Sequence, residues 1–347
     1  DVYKRQFLSG GLDSSIISAV AASHFRSLGH QLDTFSVTYT DNQKYFKTSK
    51  FQPTTDEPYI QMMAEFLGSN HHTFVVDNEQ LALALKAAVD ARDLPGMADV
   101  DSSLLLFCEE IKKHVTVALS GECADEIFGG YPWYRDEKIR SAYGFPWAQT
   151  TAMRQKFLTP HLRKLIDGEA EVSARYEQAL AETDKSEGLS PKESRLREMV
   201  HLNMYWFMQT LLTRKDRMSM YHGLEVRVPF CDHRIAEYMY SVPWEMKEYK
   251  GMEKGLLRHA VEGLLPDEIR LRKKSPYPKT HNPQYTSIVS GMLKEITDNS
   301  DAPIFDLVDR NALTGLLNDE FTQPWYGQLM TGPQTMAYMI QLNYWLE

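Results

Sequence analysis

The feature that most constrains the fold is a short strand-to-helix loop near the start of the chain. It reads Phe7-Leu8-Ser9-Gly10-Gly11-Leu12-Asp13-Ser14-Ser15. Two apolar residues end a strand before it, and an apolar run at 16–22 continues it at helical spacing. The glycines let the backbone approach a ligand closely, and N–H groups at the helix start point at that ligand. Together with the serine hydroxyls, this arrangement favours a phosphate or pyrophosphate.

The same loop carries a carboxylate, Asp13, beside the expected phosphates. It is not a Walker A loop, which needs a lysine, nor the dinucleotide fingerprint, which needs a third glycine. A carboxylate next to phosphates is favourable where a divalent cation lies between them, and oxygen ligands suit Mg²⁺. Ser-Gly-Gly-x-Asp-Ser resembles the signature of the PP-loop ATP pyrophosphatases, which cleave ATP between the α- and β-phosphates. The alternative is an ordinary strand–turn–helix corner.

Strands alternate with helices through the first third of the chain. After the first strand and helix, β-branched and aromatic runs predict strands at 34–39, 72–76 and 115–119. Apolar periodicity predicts helices between them. This order is typical of an α/β fold with a doubly wound, mostly parallel sheet, whose ligands bind at the carboxyl ends of the strands. We expect an ATP-binding α/β core over residues 7–135 and a large, mainly helical remainder over 136–347.

A second motif follows the last of these strands, and it reads Ser120-Gly121-Glu122-Cys123-Ala124-Asp125-Glu126. Ser120 and Gly121 repeat the turn chemistry of the first loop. Glu122 and Asp125 are three residues apart, so a helical turn would place both carboxylates on one side. Such a pair is costly unless Mg²⁺, a substrate amine or a lysine lies between them. The alternative is a solvated acidic helix start.

Charge and cysteine content exclude several classes of protein. The net charge of −9 over 347 residues argues against a general binder of nucleic acid or of anionic membranes. No apolar run approaches the roughly 18 residues of a membrane span. Cys108, Cys123 and Cys231 are odd in number and lack metal-ligand spacing, so we expect reduced thiols in a cytoplasmic protein.

Two segments near the start lack regular patterning. Residues 1–6 contain no methionine and are too charged for a buried parallel strand, so we expect a truncation or a foreign scar and a shortened first strand. The polar stretch 40–56 has no periodicity and is expected to form a mobile loop over the site.

The second half offers a long helix and two charged segments. Residues 196–220 form a long helix candidate. After it, Glu225 and Arg227 alternate with apolar residues, which predicts an extended segment with both charges on one face. Glu225 is a candidate catalytic residue, with a surface ion pair as the alternative. Residues 270–279 hold five basic residues and two prolines, which predicts a loop that could close on phosphates. A solvated basic turn is the alternative.

Taken together, the motifs resemble the synthetase domain of glutamine-dependent asparagine synthetases. The likeness extends from Phe7 to beyond Asn282, and it includes the blocks Asp-Arg-Met-Ser-Met and Gly-Leu-Glu-Val-Arg-Val-Pro-Phe in family order. In this resemblance Glu122 matches the glutamate needed to form β-aspartyl-adenylate, Asp125 a partner carboxylate, and Lys274 the lysine that steadies the pentavalent phosphorus. The resemblance implies that Asp13 and Asp125 bind Mg²⁺. The residues that it implies for binding ATP and pyrophosphate are Phe7, Ser9, Gly10, Gly11, Asp13, Ser14, Val37, Ser120 and Gly121.

The resemblance implies a two-step reaction. The side-chain carboxylate of L-aspartate attacks the α-phosphorus of ATP, and ammonia then displaces AMP to give L-asparagine. Family members begin with a glutaminase domain that supplies this ammonia. We expect that domain to be absent here, so that the chain depends on free ammonia. A homodimer is compatible with the resemblance.

Rival functions remain open at this point. β-Lactam synthetases use the same adenylation but place a tyrosine where Glu122 stands, so Glu122 favours the asparagine reaction. Other PP-loop ligases, which make GMP, NAD or modified tRNA, share only the first motif. A relative that amidates a larger carboxylate is a further alternative. A non-catalytic nucleotide-binding module left by truncation is the rival from another class.

Overall fold

One parallel sheet organises the molecule. The structure is a computed structural model that describes residues 4–48, 53–183, 188–318 and 330–347. Within these residues the strands are β1 (Lys4–Phe7), β2 (Asp33–Tyr39), β3 (Asn70–Val76), β4 (Val117–Leu119) and β5 (Glu225–Arg227). They pair in parallel in the order β3-β2-β1-β4-β5. The predicted doubly wound α/β fold is confirmed.

The strand order reverses at β1, which lies in the middle of the sheet. The chain passes from β1 to β2 on one side, whereas β4 pairs with β1 on the other. The carboxyl ends of β1 and β4 therefore form the topological switch point, the place where doubly wound sheets bind ligands. Both predicted motifs follow these two strands directly.

The helices of the first third agree with the sequence pattern. Gly68, at φ +59°, ends the third of them in the left-handed conformation, and Asp77 caps the fourth by accepting from Glu79 N and Gln80 N. These helices are α1 (Leu12–Ser27), α2 (Asn42–Tyr45), α3 (Glu57–Leu67), α4 (Asn78–Arg92), α5 (Asp99–Lys112) and α6 (Ala124–Phe128).

The remainder is mainly helical, as expected. The long helix predicted over 196–220 is interrupted by a π-helical turn at Asn203–Phe207. The helices are α7 (Glu137–Ser141), α8 (Thr151–Gln155), α9 (Pro160–Leu165), α10 (Gly168–Ala181), α11 (Pro191–Leu202), α12 (Met208–Met220), α13 (His233–Ser241), α14 (Trp244–Lys247), α15 (Gly255–Ala260), α16 (Asp267–Arg270), α17 (Pro283–Asp298), α18 (Arg310–Leu317) and α19 (Gly332–Leu346).

Apolar packing covers both faces of the sheet. On one face, α1, α3, α6 and α13 share a core that includes Ile17, Met63 and Ile127. On the other face, α5 packs with the end of α12 around Phe35 and Leu104. A further core joins α4 to α17, α18 and α19. No helix within the four described ranges is both long and apolar enough to cross a membrane.

The expectation for the first strand was wrong in part, because Lys4, Arg5 and Gln6 belong to β1. Arg5 is tolerated because its Nε lies 2.5 Å from Asp33 Oδ2 on the neighbouring strand. Gln6 is fully buried, and its Nε2 donates to the carbonyl of Phe7 at 2.7 Å. Residues 1–3 lie outside the described part of the chain.

The predicted loop over 40–56 contains the short helix α2. Asn42 Nδ2 donates to Glu57 Oε1 at 2.9 Å, which ties this helix to the start of α3. Residues 49–52 lie outside the described part of the chain, and the mobility of the loop stays a prediction.

The loops after β1 and β4 touch at Gly121, and this contact generates a stability prediction. A Cβ at Gly121 would lie 2.6 Å from Ser14 N, so Gly121→Ala must push the two loops apart. We expect it to lower the free energy of unfolding by about 1–3 kcal/mol in urea denaturation. Gly291→Ala is the control, because Gly291 is exposed within α17 with nothing within 4 Å. It should gain up to about 1 kcal/mol from helix propensity. Equal stabilities of Gly121→Ala and the wild type would contradict the contact.

Candidate active site

The first loop forms a small polar nest at the end of β1. Ser9 Oγ and Ser14 Oγ lie 2.9 Å apart, and Ser9 N donates to Ser14 Oγ at 3.2 Å. Gly10 has φ +67°, and a Cβ there would lie 2.7 Å from Tyr59 Cβ, so this position requires glycine. No side chain at Gly11 caps the start of α1. The helix N-terminus is therefore available to an anion.

The second loop brings its carboxylates to this nest. Ser120 N donates to Arg227 O at 2.9 Å, which fixes the loop to β5. Cys123 then turns the chain in the left-handed conformation, at φ +75°. Since Gly121 packs directly on Asp13 and Ser14, Asp125 at the start of α6 lies beside the first loop.

Two lysines lie between the carboxylates of the two loops. Lys254 Nζ donates to both carboxylate oxygens of Asp13 at 2.7 Å and lies 2.8 Å from Asp125 Oδ1. Lys274 Nζ lies 2.5 Å from Asp125 Oδ2. The Lys254 side chain is only 2% exposed. The predicted need for a cation between paired carboxylates was stated for Glu122 and Asp125. Here the paired carboxylates are Asp13 and Asp125, and an ammonium group lies between them.

Burial and charge set the ionisation of these groups. Burial disfavours the charged form of Asp125, yet Lys254 and Lys274 outweigh it and hold its pKa well below the usual value. Burial also disfavours the charged form of Lys274, but Asp125 and Asp13 raise its pKa above the usual value. Burial raises the pKa of Asp13 despite the attraction of Lys254. Lys274 is therefore protonated at neutral pH. The charged form of the buried Asp13 depends on nearby positive charge.

Glu122 lies in a second group of charges. Its Oε1 lies 3.5 Å from an Arg214 Nη and 3.4 Å from Lys215 Nζ, and both cations are almost fully buried. Its Oε2 has no hydrogen-bond partner among the described residues. Glu122 precedes α6 rather than lying within it. The expectation that Glu122 and Asp125 share one helical turn and one cation was therefore wrong.

The predicted basic loop covers the first loop. An Arg272 Nη donates to Gly10 O at 3.0 Å, and the other lies 2.5 Å from Asp56 Oδ1. Lys274 N donates to Glu253 Oε1 at 3.0 Å. The position of this segment near the phosphate nest agrees with the loop interpretation and not with a solvated basic turn.

Phe7 and Val37, the two residues predicted to contact the nucleotide outside the loops, occupy different surroundings. Phe7 is buried against Phe107, with Lys215 Nζ 4.6 Å from its ring centre. Val37 lines a cavity beside the first loop. The cavity is lined by Val37, Thr38, Asn42, Phe46, Asp56, Glu57, Ile60, Pro278 and Lys279.

One predicted site residue is not brought to this centre. Glu225 pairs with Val117 at the start of β5, away from the carboxyl end of the sheet, and its half-exposed side chain binds Arg227 at 2.6 Å. A catalytic role for Glu225 stays a prediction without support from its position.

Sequence reasoning missed the cations that complete the centre. Lys254 is the N-cap residue that precedes α15, and Arg214 and Lys215 lie at the charged end of the long helix. The signal that could have found Arg214 and Lys215 is their position on a helix that also carries an apolar stripe. For Lys254 we find no comparable local signal. All three become recognisable once the carboxylates that they neutralise are placed.

Comparisons with known proteins agree with this geometry. A family model described as asparagine synthase matches residues 3–347. The chain is 52% identical to the glutamine-hydrolyzing asparagine synthetase 3 of Bacillus subtilis, over 100% of this chain and 57% of that protein. It is 32% identical to asparagine synthetase 1 of the same organism, over 80% and 46%. It is 26% identical to amidase chry2 of Gibberella zeae, over 80% and 49%.

The chain spans about half the length of the curated relatives it matches. The matched region contains both loops, the helix that carries Arg214 and Lys215, and the segment with Lys254 and Lys274. The family model covers nearly the whole chain, and the chain therefore belongs to the asparagine synthase family.

Proposed function

We propose that this chain is the synthetase part of an ATP-dependent amide ligase that converts L-aspartate to L-asparagine through β-aspartyl-AMP. One observation carries the proposal. The Ser-Gly-Gly loop meets Asp125, Lys254 and Lys274 where the strand order reverses, and Glu122 lies in the adjoining loop. A module that only binds nucleotide needs no such set of buried charges.

The loops suggest how ATP is held. The nest at Ser9 and Ser14 and the start of α1 would receive the pyrophosphate portion, with Lys274 beside it. Ser120 and Gly121 would contact the ribose and α-phosphate, and Val37, near the carboxyl end of β2, would contact the base.

A divalent cation fits the two carboxylates of this centre. Lys254 Nζ already lies within 2.8 Å of oxygens from both Asp13 and Asp125, so a single positive centre can reach both. Mg²⁺ held by these oxygens would neutralise phosphate charge during the reaction.

Glu122 and its two cations suit the acceptor. Aspartate carries two carboxylates. Arg214 and Lys215 carry two positive charges, and Glu122 neutralises only one of them. Glu122 would hold both cations in place and orient the acceptor toward the α-phosphate. Buried charges that already face the reacting groups need no reorganisation at the moment of reaction.

The chemistry then follows in two balanced steps. A side-chain carboxylate oxygen of aspartate bonds to the α-phosphorus, and the bond to the bridging oxygen breaks, so that pyrophosphate leaves with the electron pair. Lys274 stabilises the charge that develops on the phosphorus oxygens. Ammonia attacks the acyl carbon, AMP leaves, and the nitrogen loses a proton.

We propose that this chain accepts ammonia directly. A homodimer and a cytoplasmic location stay predictions.

A second candidate is an amide ligase for another carboxylate. It is kept because amidase chry2, a relative whose name does not specify aspartate or asparagine, aligns over 80% of this chain. Both candidates share adenylation and differ in the acceptor.

Pyrophosphate release distinguishes the candidates. With Mg-ATP, L-aspartate and ammonium chloride, we expect aspartate-dependent release of pyrophosphate and formation of asparagine, measured by a coupled assay and by chromatography. With glutamine in place of ammonium, we expect no asparagine. Measurable ATP binding without aspartate-dependent release would reject aspartate and favour another carboxylate or a binding module.

Substitution of Glu122 tests the acceptor side. Glu122→Gln removes the negative charge that holds Arg214 and Lys215, so we expect ATP affinity to change little. Aspartate-dependent exchange of labelled pyrophosphate into ATP should fall by at least about 100-fold. Glu110→Gln, on the exposed side of α5 where Glu110 pairs with Lys113, is the matched control and should keep wild-type exchange. Equal exchange in the Glu122 variant and the wild type would exclude this role.

A further inference from the structure

Lys254 is held unusually firmly for a lysine side chain. Its backbone is in the left-handed conformation at φ +53°, where it caps α15. A Cβ on the next residue, Gly255, would lie 2.3 Å from Tyr249 O, so the backbone here is tightly packed. The ammonium group contacts oxygens of Asp13 and Asp125 at 2.7–2.8 Å. Such a group is an internal counter-ion rather than a surface charge.

The charges of the side chains that form direct ion pairs in this centre balance. The nearby carboxyl of Glu126 accepts from Tyr131, and burial raises its pKa to about 7. Asp13 and Asp125 contribute two negative charges, and Lys254 and Lys274 contribute two positive charges. The neighbouring Arg258 is neutralised separately, because it binds Glu253 at 3.0 Å. A divalent cation entering alone would leave two uncompensated positive charges in a buried site, which is unfavourable. A triphosphate that enters with the cation supplies the missing negative charge.

The ammonium group of Lys254 and a metal ion would also compete for the carboxylate oxygens of Asp13 and Asp125. Mg²⁺ binds oxygen at roughly 2.0–2.1 Å, whereas Lys254 Nζ already occupies the position between Asp13 and Asp125. The metal can enter only if the ammonium moves away, and the phosphates of a bound nucleotide are the anions to which it can move.

We propose that Lys254 keeps divalent cations out of the Asp13 and Asp125 site until a nucleoside triphosphate is bound. The metal is therefore taken up together with the nucleotide and not before it. The proposal rests on the proposed function only in that the nucleotide is ATP.

Mn²⁺ is the probe for this proposal, because free Mn²⁺ in solution is counted directly by its electron paramagnetic resonance signal. The full chain is titrated with Mn²⁺ alone and then in the presence of α,β-methylene-ATP, which cannot be cleaved between the α- and β-phosphates. For the wild type we expect weak Mn²⁺ binding without the analogue and stoichiometric binding with it. Lys254→Met should bind Mn²⁺ alone at least roughly tenfold more tightly than the wild type.

Two controls locate the effect. Lys294→Met removes an exposed lysine that pairs with Asp298 at 2.5 Å, and it should leave Mn²⁺ binding unchanged. Asp13→Asn in the Lys254→Met background should abolish the gain. Tight Mn²⁺ binding by the wild type without the analogue would overturn the proposal, as would unchanged binding by Lys254→Met. Failure of the analogue to bind in calorimetry would instead contradict ATP as the substrate.

A folding defect in the test variant is distinguishable from these outcomes. Circular dichroism reports whether Lys254→Met retains its helices, and Lys254→Gln replaces it if it does not, because glutamine donates hydrogen bonds without charge. In either variant, Mn²⁺ alone should raise the melting temperature, whereas that of the wild type should not change. A melting temperature that Mn²⁺ leaves unchanged in a folded variant would also overturn the proposal.

Discussion

The ion pairs of Asp125 with two lysines are the interaction on which the rest of the site depends. Asp125 lies in the first turn of α6, Lys254 is the N-cap residue of α15, and Lys274 belongs to the loop that follows α16. These segments are distant in sequence, and the carboxylate joins them beside the first loop. Loss of one partner from a buried ion pair typically costs about 3–5 kcal/mol, because the other charge is left buried. The arrangement of both loops is therefore linked to the presence of all three side chains.

This centre is not an efficient way to gain stability. Apolar side chains of similar volume often replace a buried ion pair without loss of stability. The adjoining group of charges also leaves polar atoms without hydrogen-bond partners among the described residues, namely Glu122 Oε2 and Arg214 Nε. Since buried polar atoms are normally paired, these atoms point to a ligand that completes them. The retained charges are better explained by nucleotide chemistry than by folding.

The sequence predicted those features of the fold that depend on local residue patterns. Turns at Gly10 and Gly121 and the alternation of strands and helices identified the sheet and the two loops, because those features depend on neighbouring residues. Lys254 and Arg214 were missed because pairing between distant charges leaves no periodic signal. The first strand was misjudged because a count of its charges ignores Asp33 on the adjacent strand, which neutralises Arg5.

The division of the charges into two groups separates two tasks. Asp13, Asp125 and the two lysines form the group to which the proposed function assigns the phosphates, whereas Glu122 pairs with cations from α12. Lys215 links the groups, because it also lies over the ring of Phe7 at the end of β1. In the proposed reaction the first group, which the sheet loops and the segment around Lys254 build, would face the phosphates, and adenylation would also need Glu122 of the second group to orient the acceptor. If that proposal holds, a change of acceptor within this fold requires changes at Glu122 or on α12 and leaves the first group intact.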